Sequence, residues 1–398
     1  MSKVIAVNAG SSSLKFQLFK MPEEEVLTSG VAERIGLDEG IFTIKVNGEK
    51  ISKNLPIKDH SVAVKLLLEA LVEYHIVKDL SEIKAAGHRI VQGGAYFKES
   101  VIVDEDVVAK VDELCELAPL HNPAHLICYR AFKEALPSIG HVFVFDTAFH
   151  QTMGPESYLF PVPYEWYTDY KIRRYGAHGT SHEYIGKETA KLLNKNFEDV
   201  NIITCHLGNG ASITAIKNGK CINTSMGLTP LGGIMMGSRS GDIDPTVVFY
   251  MMKKLGCTPD EMDTYLNKKS GMLGVSGISS DARDVEAAAK EGNERAILTQ
   301  KLYVNRVINV LGGYVMQLGH VDAISFTAGL GENDANMREM ILKAASESLG
   351  LSIDYELNQS IHSKLAKLSK DDSKVAVYVI PTNEELCIVR DTVRLLGL

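Results

Sequence analysis

The sequence contains neither GxxxxGK[ST] nor GxGxxG. The loop signatures of the P-loop and Rossmann nucleotide sites are therefore both missing. It also has no CxxC spacing. The six cysteines, Cys115, Cys128, Cys205, Cys221, Cys257 and Cys387, stand apart in apolar contexts, which predicts buried free thiols in a reducing compartment. Positive charge is in deficit: 42 Lys and Arg against 50 Asp and Glu leave a net charge of −8. That balance excludes nonspecific nucleic-acid binding through a basic surface. Any anionic substrate must then be held by locally placed Arg, Lys and N–H groups. The longest uncharged stretch, 221–238, is full of Gly, Ser, Thr, Asn and Pro, so it reads as loop and not as a membrane span. The N-terminus offers Lys3 and then an apolar run too short for a signal peptide. A cytoplasmic protein is expected, with neither nucleic acid nor membrane as partner. No low-complexity linker occurs, and the charge-rich tract 364–374 reads as a solvated connector. The 398 residues, 45% hydrophobic and 23% charged, are ordinary for a globular protein of two domains.

What the sequence does hold is one device used twice. Residues 4–18, VIAVNAGSSSLKFQL, read as strand, tight loop, strand. The loop carries no large apolar side chain. Its backbone N–H groups, from Gly10, Ser11, Ser12 and Ser13, are placed to close on an anion; a bland hairpin turn is the alternative. Residues 202–216, IITCHLGNGASITAI, repeat the pattern. Laying Gly208 on Gly10 brings His206 onto Asn8 and Ile216 onto Leu18. Two copies predict a duplicated architecture. Two anion-binding hairpins facing one cleft would hold the polyphosphate of a nucleotide.

Between and beyond these hairpins the chain alternates strands and helices. Asn47-Gly48 marks a hairpin among the strands of 25–58, and 61–74 has helical spacing. AAGHRIVQGG, 85–94, carries Arg89 on an apolar strand; a planar guanidinium there suits a carboxylate or phosphate clamp, and an edge arginine is the alternative. A helix is read over 104–117. Asn122 and Pro123 read as N-cap and N1 of the next helix, just after His121. HVFVF, 141–145, ends in Asp146, an acid at the carboxyl end of a buried strand, where open α/β sheets place their sites. An irregular connector with Pro161, Pro163 and the single Trp166 follows, and the domain boundary is placed near 150. His178 lies between two glycines, ahead of a capping box read as Thr180 and Glu183. In PLGGIMMGSRSGDIDP, 230–245, Arg239 is a lone cation in a Gly-rich loop, and Asp244 caps a helix that Gly256 ends. Helices are read over 281–290 and 294–319. A strand at 322–327 enters the Gly-rich turn AGLGEN. A last strand, 375–380, meets PTNEE, where Thr382 and Glu385 read as a capping box and Glu384 is left to hold Mg²⁺.

Taken together, VNAGSSSLKF, GHRIVQGG, DTAFHQTM, YGAHGTSH, HLGNGAS, GGIMMGSRSGDIDP, AGLGEN and PTNEE resemble the acetate and propionate kinase family, in order and over essentially the whole chain. The resemblance implies the duplicated actin-like ATPase (ribonuclease H-like) α/β fold, with two domains around a nucleotide cleft. Residues 1–150 would form the N-terminal domain, with a C-terminal helix at about 386–398 packing back on it; 151–385 would form the nucleotide-binding domain. It implies Mg²⁺- or Mn²⁺-dependent phosphoryl transfer between ATP and acetate, giving ADP and acetyl phosphate, in a homodimer. Asn8 and Glu384 would serve the metal and Lys15 the nucleotide. Arg89 would hold the substrate carboxylate, with Val91, Leu120 and Pro230 around its methyl group. By the same resemblance Asp146 would be the essential acid, and His178 and Arg239 would stabilise the transition state. His206, Leu207, Gly208, Asn209 and Gly210, then Asp281, Ala282 and Arg283, then Gly329, Leu330, Gly331, Glu332 and Asn333 match the nucleotide loops. Gln92, Ala177 and Ser238 depart from the family's usual His, Phe and Thr. A kinase for propionate or another short-chain acid, and a non-enzymatic nucleotide switch of the same fold, are the alternatives.

Overall fold

In the computed structural model, residues 2–119 and 121–398 are described; the expectation for Leu120 lies outside them. The chain forms two compact units, Met1–Ala148 with Asn383–Leu398, and Phe149–Thr382. The sequence placed these divisions at 150 and 385.

In unit 1 the strands are β1 (Ser2–Ala9), β2 (Ser13–Met21), β3 (Glu25–Glu33), β4 (Gly40–Val46), β5 (Glu49–Leu55), β6 (Ile83–Ile90), β7 (Val101–Ile102) and β8 (Gly140–Phe145). Their order in the sheet is β5-β4-β3-β2-β1-β6-β8-β7. The meander β1 to β5 is antiparallel, and β6 and β8 run parallel to β1. Val4 to Val7 are buried on both faces, which is why the central strand reads as a continuous apolar run. One face is covered by the helix His60–Glu73, capped by Asp59, which packs Ala63, Val64, Leu67, Leu68 and Leu71 at helical spacing into the core. The C-terminal helix Glu384–Leu396 sets Leu386, Ile388 and Val389 against Val4, Ala6, Ala85 and Val142. Its close approach depends on Gly87, where a Cβ would overlap the Ile388 and Thr392 side chains.

In unit 2 the strands are β9 (Asn201–Leu207), β10 (Ala211–Lys217), β11 (Lys220–Thr224), β12 (Ala323–Thr327), β13 (Ala366–Lys367) and β14 (Ala376–Val379), in the order β11-β10-β9-β12-β14-β13. An antiparallel hairpin pair is again followed by two parallel strands. The succession β11-β10-β9-β12-β14 thus repeats β3-β2-β1-β6-β8, which is the duplication. Its register differs from the sequence overlay. The first hairpin closes at Ala9 opposite Leu14 and the second at Leu207 opposite Ala211. The second loop is one residue shorter, so Ile216 matches Phe19 and not Leu18.

Other local expectations are corrected too. Asn122 is not the N-cap, which falls at His121, whose side chain makes no capping bond to the helix. The Asn122 amide instead clamps Gln92, accepting from its N–H at 3.1 Å and donating to its carbonyl at 3.0 Å. The capping boxes at Thr180–Glu183 and Thr382–Glu385 do not form: His178 and Asn383 take the cap positions. The helix read to 117 ends at Glu113, AGLGEN is itself helical, and β13 lies within the supposed connector 364–374. Cys128, Cys205 and Cys221 are buried, but Cys115, Cys257 and Cys387 are only partly so. Among the described residues, no helix is long and apolar enough to cross a membrane.

Candidate active site

Unit 1 gathers polar groups at the carboxyl ends of its parallel strands. Asn8 lies next to the end of β1, Arg89 next to the end of β6, and Asp146 follows β8, with its N–H held by the Ile90 carbonyl at 2.9 Å. Arg89 donates from Nε to Asp146 Oδ1 at 2.9 Å and from Nη2 to Oδ2 at 2.6 Å. Its Nη1 donates to Asn8 Oδ1 at 3.0 Å. A guanidinium has five N–H donors. These three bonds leave one N–H on Nη1 and one on Nη2 without a bond among the described residues. Burial works against the Arg89 charge, but the Asp146 carboxylate, joined by Glu384 and Glu385, outweighs it and raises the Arg89 pKa. Burial pushes Glu384, at the start of the C-terminal helix, up to about 7; Arg89 opposes the shift, and Asp146 and Glu385 add to it. Lys15 faces Asn8 across the hairpin. Val91 is buried, and its N–H is directed at His125 Nδ1 at 3.4 Å.

The hairpin loops are not simple anion nests. Gly10 gives its N–H to the Ser13 carbonyl at 2.7 Å, and Gly208 gives its own to Gly210 at 3.1 Å. Neither is available to a phosphate. Gln92 bends into its own turn, where its Oε1 accepts from Gly94 N–H at 2.9 Å.

In unit 2 the loop after β9 lies beside two cations or potential cations. His178 occupies the left-handed region, φ 59°, at the start of the helix Gly179–Leu192. This is a costly conformation for a non-glycine residue and one that clusters at functional sites. Its Nδ1 meets Ser212 Oγ at 2.9 Å, and its ring stacks on His206 at 4.1 Å between centroids. Arg239 donates to the Pro230 carbonyl at 3.3 Å. Among the described residues no carboxylate pairs with it, and burial lowers its pKa. Gly210 is where the two converge: a Cβ there would lie 3.5 Å from Arg239 Nη1 and 3.6 Å from His178 Nε2.

Next to this point is a cavity of about 650 Å³. Of the sequence-predicted nucleotide residues, Gly208, Asn209, Asp281, Ala282, Arg283, Gly329, Leu330 and Asn333 line it. His206, Leu207, Gly210, Gly331 and Glu332 do not. Leu207 is core, and His206 bonds Ser181 Oγ at 2.8 Å. Gly331 gives its carbonyl to the buried Arg338 at 3.1 Å. The Glu332 carboxylate accepts from the N–H groups of Ala328 and Thr382 at 2.9 and 3.1 Å, which ties the helical AGLGEN turn to the chain that leads to Glu384. Gly237, Met272, Ser280, Glu286, Asp334 and His362 also line the cavity and were not found from sequence. Gly237 lies inside the recognised stretch GGIMMGSRSGDIDP, and Ser280 and Asp334 adjoin recognised segments; His362 has no local signature.

The sequence profile of the acetokinase family matches residues 3–390. The chain belongs to the acetokinase family. It is 55% identical to the acetate kinase of Geobacillus kaustophilus over 398 residues, covering all of both chains. The crystal structure of Porphyromonas gingivalis acetate kinase superposes with a TM-score of 0.95 at 44% identity, covering all of both chains. A propionate kinase from Francisella tularensis superposes at 0.93 with 40% identity, over 99% of this chain and 100% of its own. The two-sheet architecture is the family's actin-like ATPase fold, and the chain is a phosphotransferase with a carboxyl group as acceptor.

Proposed function

We propose that this protein transfers the γ-phosphoryl group of ATP to acetate, reversibly, giving acetyl phosphate and ADP. The supporting observation is the meeting of Arg239 and His178 at Gly210, beside a nucleotide-sized cavity. Arg239 lacks a carboxylate partner among the described residues, which suits a site that receives a highly charged anion.

A carboxylic acid with a pKa near that of Glu, about 4.3, is ionised at neutral pH. No base is needed to generate the nucleophile. The obstacle is bringing one anion up to another, so positioning and charge stabilisation carry the reaction. Arg89 offers its two remaining N–H groups to the acetate carboxylate. Asp146, committed to Arg89 through both oxygens, orients that guanidinium and takes no proton from acetate. Val91 and Pro230 would contact the methyl group. Arg239 and His178 donate to the equatorial oxygens of the phosphoryl group in flight. The lining loops hold the nucleotide, and Lys15 adds a phosphate contact.

The oxygen donors of Asn8 and Glu384 fit Mg²⁺ or Mn²⁺, which take few protein ligands and share the rest with phosphates and water. The upward shift of Glu384 fits as well, since a divalent cation would restore its ionised form. When bound, the metal neutralises phosphate charge. Transfer is direct and in line, which predicts inversion at a chiral γ-phosphate.

The protein acts in the cytoplasm as a homodimer. The exposed Tyr164, Trp166, Tyr170, Phe249 and Tyr250 of unit 2 supply apolar surface for such a contact. The test of the function is ADP release with each acid in turn. Acetate-dependent turnover should show kcat/KM several-fold above that for propionate, since one methylene is worth about 1–3 kcal/mol. A preference for propionate would move the assignment to the longer acid, and no carboxylate-dependent turnover would end it.

A further inference from the structure

Behind His178 runs a buried chain of side chains that the reaction as described does not use. His178 Nδ1 meets Ser212 Oγ at 2.9 Å. The same oxygen meets His182 Nε2 at 2.7 Å, and His182 Nδ1 meets Thr204 Oγ1 at 2.7 Å. Ser212, His182 and Thr204 are completely buried. All four residues belong to unit 2.

With neutral rings, three arrangements of protons let every link bond. In the first, Thr204 O–H donates to His182 Nδ1, His182 Nε2–H to Ser212, and Ser212 O–H to His178 Nδ1. Every proton in the chain then has an acceptor, and His178 carries its own proton on Nε2. In the second, all three bonds reverse. His178 donates from Nδ1, and its Nε2 becomes a bare acceptor. The Thr204 hydroxyl proton is then left without an acceptor among the described residues, where its one hydrogen bond is already used with Thr204 as acceptor. In the third, His178 Nδ1–H and His182 Nε2–H both donate to Ser212, which leaves the buried Ser212 hydroxyl proton without an acceptor among the described residues. A buried, unsatisfied donor is costly enough to favour the first arrangement by roughly tenfold or more. A second proton on the His182 ring is excluded by burial, which holds its pKa well below the ordinary histidine value, with His150 and His206 adding to the effect.

We propose that Thr204, His182 and Ser212 are positioning residues that hold His178 as the Nε2–H tautomer, with that N–H directed at the Gly210–Arg239 point. The inference rests on the reading of His178 as a contact to the transferring phosphoryl group. A phosphoryl oxygen needs a donor there; a bare Nε2 would repel it. It also explains why a serine and a threonine face a histidine inside a strand pair where the pattern calls for aliphatic residues.

The test has two readouts. Nitrogen-15 spectra of the histidine rings, with the His178 signals identified by loss in His178→Gln, report which nitrogen bears the proton. The wild-type enzyme should show Nε2–H, and Thr204→Val should shift His178 toward a mixture of tautomers. In steady-state kinetics, Ser212→Ala should lower kcat about tenfold with both KM values within about twofold. Because Ser212 acts through His178, Ser212→Ala added to His178→Ala should cost nothing further. A wild-type Nδ1–H spectrum overturns the proposal, as do losses that multiply in the double variant or an unchanged kcat in Ser212→Ala. If His178→Ala itself keeps near-normal kcat, the phosphoryl-contact reading fails, and the ring spectra still decide the tautomer.

Discussion

Gly210→Ala separates folding from chemistry at the point where Arg239 and His178 converge. The new Cβ would stand 3.5 Å from Arg239 Nη1 and 3.6 Å from His178 Nε2, both ordinary contacts. The backbone at Gly210 is not left-handed, so alanine fits without strain. A glycine replaced under those conditions stabilises by about 0.4–1 kcal/mol through the unfolded chain. The melting temperature should therefore hold or rise slightly. Catalysis should not survive. An oxygen bonded to both donors must come within about 2.8 Å of each, and a methyl carbon in contact with both competes for that space. Loss of one donor to a developing anion costs about 10²–10³ in kcat; here two donors are obstructed, so kcat should fall at least about 100-fold. ADP affinity should change little, because Gly210 does not line the cavity. The assay is kcat by coupled ADP release, with calorimetric melting and ADP titration on the same protein. A variant that melts normally and keeps kcat within threefold of wild type would refute the placement of the phosphoryl group between His178 and Arg239.

Asp146→Asn should leave Arg89 without its ionic partner; removing one member of a buried pair costs up to about 3–5 kcal/mol, and the 19% exposure of the Arg89 side chain reduces that here. The acetate KM should rise more than tenfold with the ATP KM nearly unchanged, and equal effects on both would count against separate acceptor and nucleotide halves. Acid should destabilise unit 1 by more than unit 2, in which the buried His182 carries the same kind of shift. His88, His125 and His141 are buried in unit 1, and burial lowers their pKa values, to about 3 for His125 and about 4 for His141. Below the unfolded value of about 6.5 the unfolded chain binds protons that the folded unit does not, so stability is present above that pH and is lost as pH falls through it. From pH 7 to 5.5 each histidine removes about 1.2 kcal/mol, about 4 for the three together. Limited proteolysis across that range should cut unit 1 before unit 2, and the reverse order would contradict the assignment.

Much of this was legible in the sequence because it rests on short-range rules. The two hairpins, the Asn47-Gly48 turn and the helix from Asp244 to Gly256 each follow from a local pattern, and each is present. The motifs also marked eight residues of the nucleotide cavity. What failed was decided by partners far away in sequence. Asn122 had the composition of a cap, but Gln92, thirty residues earlier, took its amide. Glu332 sat in a loop motif, yet its carboxylate is fixed by the Thr382 N–H, fifty residues on. The one-residue difference between the hairpin loops is invisible in an overlay because both second strands are apolar enough to tolerate either register. His362 reaches the cavity only through the packing of the last third of the chain.

The central claim is that ATP is consumed by transfer to acetate and not by hydrolysis. Phosphorus-31 spectra of one reaction mixture test it most directly. With enzyme, Mg²⁺, ATP and acetate, the resonances of acetyl phosphate and ADP should grow in equal amounts, and neither should appear when acetate is omitted. Inorganic phosphate formed in step with ADP, or ADP formed without acetate, would contradict the account.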